Sequence, residues 1–573
     1  MVNPKADPCE DLNAFACSRW RPVGGSYDNY GAALDSLAFH DWFDGFYSSL
    51  VEGSDHLFAG AKPLAMFEAC VQNSTGGSEE GKRMLRGFMS KLRIPWPDEP
   101  SADVDPLGVL IDLWHLGLWF DLEPLRLPTK SPAFDEGTTS DGHTGSNSSR
   151  RHLFMKMGQF VGFWSVHHSE ILHEHSYIDY WDTFYAAFGA GLPKRSDAYV
   201  KHVSTVEAAV FEELLGVVNN ENKEPAQFEL GDIGVRTPRL PASRWIEQLS
   251  ANTAPVKEAT NGSVFAALAD RDLLAAKYAD KAKAAERRHV FCATEVEDAY
   301  GPLVPALYVF PRFTSRIRRL VDDVFSNVCE AARDKVSSLV WADKATRQVA
   351  LKKLHKMRTV LWPPEFILSN ERLNELYANF AASITTNTSL FIEHWVDAQK
   401  SLRVLYDVPG FRKDPDMPPN YVLPYFDYDY LQNRVLISVA ALHGVLKAVQ
   451  ATPAVLYGGL GFSFARQLLR ALDSGGLKID PEGNVLPDTW ASPQAACVAP
   501  AYDSPFPEIP ALEATHAAFQ HQRRRKPKDP NDDDTNDAAQ DLLHRRIMSE
   551  YTEQQVFFIT ACFTLCRLPK TIK

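Results

Sequence analysis

Tyr457-Gly458-Gly459-Leu460-Gly461, running into Phe462-Ser463-Phe464-Ala465-Arg466-Gln467-Leu468-Leu469-Arg470-Ala471-Leu472-Asp473, is the stretch that decides how this chain reads. Phe464, Leu468, Leu469 and Leu472 recur at helical spacing and make one apolar face, and Gly475-Gly476 supplies a stop. The segment predicts a buried helix. Arg466 and Arg470 stand four apart, so both guanidiniums leave the same face of that helix. Two His at this spacing can grip one metal ion, because each imidazole offers a nitrogen lone pair. A guanidinium offers none, and Gln467 between them cannot take up a proton as a base. From these residues alone, the stretch is a buried helix that carries two cations.

Composition sets the outer bounds. At 573 residues, with 45% hydrophobic and 23% charged side chains, the chain is an ordinary globular protein large enough for more than one domain. A net charge of -13 argues against nucleic acid as a partner, which needs a concentrated basic face. No apolar run approaches the roughly 20 residues of a membrane span; the run 556–565 is short and interrupted by Thr. Met1-Val2-Asn3-Pro4-Lys5 has none of the apolar core of a secretory signal. Eight Cys are too few to serve as a disulfide scaffold at this length.

Apolar residues at helical spacing predict helices over 206–215, 270–288, 314–354 and 541–565. The stretch 131–150, rich in Gly, Ser and Thr, reads as an exposed loop, and 522–541 as a solvated basic block followed by an acidic one. There is no internal repeat. His167, His168, His173 and His175 cluster with Glu170 and Glu174; a polar surface segment is the plain expectation there, and a metal site the alternative.

Several further motifs stand in a telling order. Near the start is Pro8-Cys9-Glu10-Asp11-Leu12-Asn13-Ala14-Phe15-Ala16-Cys17-Ser18-Arg19-Trp20, and Cys70 ends Met66-Phe67-Glu68-Ala69-Cys70. Cys292 leads towards Ala306-Leu307-Tyr308-Val309, followed by Trp341-Ala342-Asp343-Lys344-Ala345-Thr346-Arg347. Gln554-Gln555-Val556-Phe557-Phe558-Ile559 runs on to Cys566. Taken with the YGGLG stretch, these resemble the neprilysin and endothelin-converting-enzyme family of zinc metallopeptidases over nearly the whole chain.

The resemblance implies a mainly α fold of two helical lobes enclosing a large central cavity. Residues 1–301 and 430–573 would build the larger lobe and 302–429 the smaller. It implies disulfides Cys17–Cys566 and Cys70–Cys292, and leaves Cys9 and Cys497 without their partners, which in the family lie in a C-terminal tail that this sequence does not contain. Cys329 and Cys562 match no family half-cystine and are expected as free thiols. In the family a cytoplasmic tail, a membrane anchor and a stem precede the first Cys motif, so the expected location is extracellular, secreted or anchored. The sequons at Asn73, Asn147, Asn261 and Asn387 are candidate glycosylation sites compatible with it.

The same resemblance assigns roles that these residues do not fill. Arg466 and Arg470 fall on the two zinc-ligand His positions, Gln467 on the general base and Ser504 on the third ligand. Asp473 and Glu508 fall on the carboxylates that orient those His. Tyr425 replaces the Asn that holds substrate backbone, and Phe426 follows it on the peptide-binding strand. The expected function is therefore a catalytically inactive relative with no zinc cofactor, whose partners are a peptide ligand or an active paralogue. The alternative is an active zinc metalloendopeptidase with a damaged or incomplete sequence; a third possibility is a fragment that never folds stably. The buried Arg pair is expected to find carboxylates, Arg470 at Asp473 and Arg466 at Glu508 or Asp503.

Overall fold

The computed structural model describes residues 2–19, 30–72, 79–91, 94–98, 105–112, 119–125, 152–157, 177–189, 191–219, 228–253, 281–301, 303–340, 342–363, 369–378, 391–395, 426–438, 452–473, 475–481, 506–525 and 550–566, with 161, 168–169, 171–172, 380, 397–398, 401 and 442. Helices dominate, and the described strands form one pair and one set of three. The chain divides into two compact units. One comprises Met1–Ser49, Pro305–Leu368 and Pro415–Lys573, and the other Leu50–Val304 and Ser369–Asp414. The middle segment 302–429 is thus shared between the units instead of forming one of its own. Its first part joins the chain ends because the helix Ser315–Ser337 lays Val321, Val324, Phe325 and Val328 against the helices Phe462–Arg470 and Glu508–Arg525.

The run 314–354, a single helical pattern in sequence, folds as two helices, Ser315–Ser337 and Lys344–His355. Asp343 separates them. Its carboxylate accepts from the Thr346 amide at 2.9 Å and hydroxyl at 2.7 Å, which starts the second helix and holds the Asp343 carboxyl below its ordinary range. The terminal helix, Glu553–Phe563, begins with a Thr552/Gln555 capping box. No described helix is long and apolar enough to cross a membrane.

In the first unit, Arg434–Ile437 is the central strand of three. It pairs parallel with Arg358–Val360 and antiparallel with Phe426–Asp429, in the register Phe426↔Ile437 and Asp429↔Arg434. Asn433 closes the hairpin at φ 48°, a left-handed backbone that Asn tolerates. Its amide is fixed on both sides, donating to the Lys353 carbonyl at 2.9 Å and accepting from the Tyr428 hydroxyl at 2.7 Å. The Cys17–Cys566 disulfide, with Cα atoms 5.2 Å apart, ties the helix Leu12–Cys17 to the end of the chain.

Among the described residues the second unit is helical apart from the antiparallel pair Phe120–Leu125 and His152–Met157. Cys70 and Cys292, both fully buried, form its disulfide, and Arg288 donates to the Cys70 carbonyl at 2.8 Å. Lys62 is buried and donates to the Tyr377 carbonyl at 2.6 Å and to that of Phe380, closing the end of the helix Asn370–Leu376. His168 departs from the expected polar surface segment. It is buried, with Nδ1 3.3 Å from the Glu207 carboxylate and its ring against Tyr177 and Phe211. Glu207 also accepts from the Tyr177 hydroxyl at 2.6 Å, while His168 Nε2 is buried without a hydrogen-bond partner. The other residues of that cluster, and the sequons at Asn73, Asn147, Asn261 and Asn387, lie outside the described residues.

Candidate functional site

Local chemistry places the Arg466 helix. Thr452 caps its first turn, accepting from the Val455 amide, and Pro453 occupies the position where a missing N–H does no harm. Tyr457–Gly461 then widens into a π turn. At Gly458 a Cβ would fall 2.5 Å from the Phe557 carbonyl oxygen, so this turn lies directly against the backbone of the Glu553–Phe563 helix. The Tyr457 hydroxyl accepts from Asn327 Nδ2 at 2.8 Å. From Phe462 to Arg470 the apolar face is buried, with Phe464 stacked on Phe325 at 4.2 Å between ring centres.

The polar side of that helix is organised around an ion pair. Arg466 Nη2 lies 2.8 Å from Glu508 Oε1, and each side chain is 30% exposed. Glu508 stands in the first turn of Glu508–Arg525, where the helix dipole favours a carboxylate. Arg466 Nε and Gln467 Oε1 are both buried without a hydrogen-bond partner, one a donor and the other an acceptor. The expected pair between Arg470 and Asp473 is not formed: Arg470 is exposed. The helix ends at Arg470, so Asp473 leaves the helical register and turns elsewhere. One oxygen of Asp473 accepts from the Tyr430 hydroxyl at 2.6 Å and the other from the Gly476 amide at 2.6 Å.

Gly475 does not end the helix through a left-handed backbone, since its φ is -75°. Asp473 performs that task with its side chain, and Gly476 passes so close to Arg470 that a Cβ would lie 2.3 Å from the Arg470 carbonyl oxygen. Lys353 completes the arrangement. It is 1% exposed and donates to the Ile479 carbonyl at 2.7 Å and to the Gly476 carbonyl. Burial lowers its pKa to about 8, opposed by the charges of Asp473 and Asp480. Lys353 and Tyr430 were not singled out from the sequence. Lys353 could have been, because it stands three residues after Ala350 on the inward face of its helix.

Phe426 opens the strand Phe426–Asp429, at the edge of the described sheet. Burial raises the Asp427 carboxyl above its ordinary range, against the opposing charge of Arg470. Tyr425, Ser504, Asp503 and Cys497 lie outside the described residues. The side chains gathered here do not fit a dication. Arg466 is a cation without a lone pair, and the one carboxylate paired with it among the described residues, Glu508, is thereby engaged. Among the described residues no group of three or more His, Cys, Asp or Glu could hold a metal ion.

The chain is similar to proteins of one family. A family model described as peptidase family M13 matches residues 265–363. Endothelin-converting enzyme 1 of Rattus norvegicus is 24% identical over 225 residues, covering 38% of this chain and 28% of that protein. The same enzyme of Bos taurus is 24% identical over 541 residues, covering 85% of this chain and 68% of that protein. The chain therefore spans little more than a quarter of the rat relative's length and about two thirds of the bovine one's. Among solved structures, the Mycobacterium tuberculosis zinc metalloprotease Zmp1 in complex with an inhibitor shares the fold. Its TM-score is 0.58 at 16% identity, over 98% of this chain and 89% of that one. The matched family model, an alignment along most of the sequence and a common fold together support a place for the chain in peptidase family M13.

Proposed function

We propose that this chain is a catalytically inactive member of the family that binds peptide rather than cutting it. The observation that carries the proposal is the Arg466–Glu508 ion pair, at positions where the family resemblance expects a zinc ligand and the carboxylate that orients one. A metallopeptidase needs a metal to lower the pKa of its attacking water, and a base beside it to take the proton. Arg466, Gln467 and Arg470 can do neither. Zinc is accordingly not a cofactor of this chain in the proposal.

Peptide would lie along Phe426–Asp429, where an extended segment can add to a sheet edge through main-chain hydrogen bonds. Its register on Arg434–Ile437 supports that use, since it leaves the other side of the strand without a partner strand among the described residues. Association with an active relative is the second form the partnership can take. An extracellular or luminal setting is part of the same proposal, supported by two disulfides buried in their units.

The test is hydrolysis of quenched fluorescent peptides by the purified chain, with and without added zinc, beside the triple substitution Arg466→His, Gln467→Glu, Arg470→His. No turnover is expected from either, because Ser504 stands where the third ligand would be. Peptide cleavage by the unsubstituted chain that a zinc chelator abolishes would overturn the proposal in favour of an active peptidase.

A further inference from the structure

Cys562 is a free thiol packed against a disulfide. It lies on the helix Glu553–Phe563, one turn before Cys566, and joins the cluster formed by Ala16, Cys17 and Cys566. Its carbonyl oxygen lies 3.8 Å from Cys17 Sγ and 3.9 Å from Cys566 Sγ, and its own sulfur lies 3.7 Å from the Leu12 carbonyl, on the helix that carries Cys17. The two bonded sulfurs belong to buried residues, with Cys17 6% and Cys566 0% exposed. Cys562 is only half-buried.

We infer that Cys562 is an exchange thiol for the Cys17–Cys566 bond, through which the covalent tie between the two chain ends can be shifted and reduced. In the exchange the Cys562 thiolate attacks Cys17 Sγ. A Cys17–Cys562 bond forms, the Cys17–Cys566 bond breaks, and Cys566 leaves as a thiolate that takes up the proton Cys562 gave up. Electrons and atoms balance without an oxidant. The new bond moves the tie one helical turn earlier and puts a half-buried sulfur in it, which a dithiol in solution can then attack, leaving Cys17 reduced. Burial, and then the Asp11 carboxylate, push the Cys562 thiol up, so the attacking form is scarce near neutrality and the original pairing persists.

The measurement is reduction of the folded, fully oxidised chain by excess dithiothreitol. Free thiols are trapped with N-ethylmaleimide at intervals, and the products are digested with chymotrypsin, which separates Cys562 from Cys566 at Phe563, and read by mass spectrometry. Cys562→Ser is expected to slow loss of the Cys17–Cys566 bond by about tenfold or more. Loss of Cys70–Cys292 serves as the internal control and should keep its rate. Equal rates for Cys17–Cys566 in both chains would overturn the inference. In a Cys566→Ser chain, Cys17 is expected in a bond to Cys562, and a free, alkylated Cys17 would overturn it as well. If Cys566→Ser fails to fold, the Cys562→Ser comparison decides alone.

Discussion

Lys353 and Arg466 are two cations set against the same short segment, and the fold treats them in opposite ways. Arg466 keeps 30% of its side chain exposed and meets a carboxylate at 2.8 Å. Lys353 is almost wholly buried and meets only carbonyl oxygens, those of Gly476 and Ile479. The difference follows from what each group can do with its proton. A guanidinium stays charged at any accessible pH, so it needs a counter-charge or water. An amine can shed its proton when burial makes the charge expensive, and still donate to carbonyls. The helix end is therefore locked by a cation that can become neutral, while its middle is bridged by one that cannot.

Removing Lys353 should have the larger effect. Lys353→Ala leaves two buried carbonyls without their donor and a cavity behind, a loss of about 2–4 kcal/mol in equilibrium unfolding. The pH dependence identifies the cause. The folded pKa of about 8 lies below the ordinary 10.5, so between those values the unfolded chain binds a proton that the folded chain does not. Stability therefore rises with pH across that window, and Lys353 carries a penalty below about pH 8 that fades above it. The destabilisation by Lys353→Ala should accordingly grow by about 2 kcal/mol between pH 8 and pH 10. A destabilisation independent of pH would mean that Lys353 stays charged when buried, and the contrast with Arg466 would collapse.

The Arg466–Glu508 pair should matter less to stability than a fully buried pair would. With both side chains part-exposed, solvent screens the attraction, and a double-mutant cycle on Arg466→Ala and Glu508→Ala should give a coupling of about 1 kcal/mol or less. The Arg466 side chain is thus part-exposed, where the sequence led to the expectation of a buried one. A coupling of about 3 kcal/mol or more would show that the pair behaves as a dry one.

The sequence and the structure agree best where chemistry is local or where Cys positions are informative. The helix over 206–215 and the packing of Phe464, Leu468 and Leu469 follow from short-range pattern, whereas Asp343 and Thr552 cap new helices inside runs that read as continuous ones. The pairs Cys17–Cys566 and Cys70–Cys292 came only through family resemblance, since neither separation carries a local signal. Arg466–Glu508 was legible because the aligned segment brought Glu508 to the right place. Arg470 was not, because its expected partner Asp473 falls past the helix end and is held by Tyr430, 43 residues earlier. His168 was missed for a similar reason, as nothing near it in sequence announces Glu207 and Tyr177.

The Arg466–Glu508 pair is proposed to stand where the family resemblance expects a metal. Zinc content tests it most directly. The purified chain would be equilibrated with excess zinc, freed of weakly bound metal by gel filtration and analysed by inductively coupled plasma mass spectrometry, beside a Gln467→Ala, Arg466→Ala chain. Neither should carry a stoichiometric equivalent of zinc attributable to this helix, and the two contents should match. One equivalent of zinc per chain that disappears on substituting Arg466 and Gln467 would mean that this helix binds the metal after all.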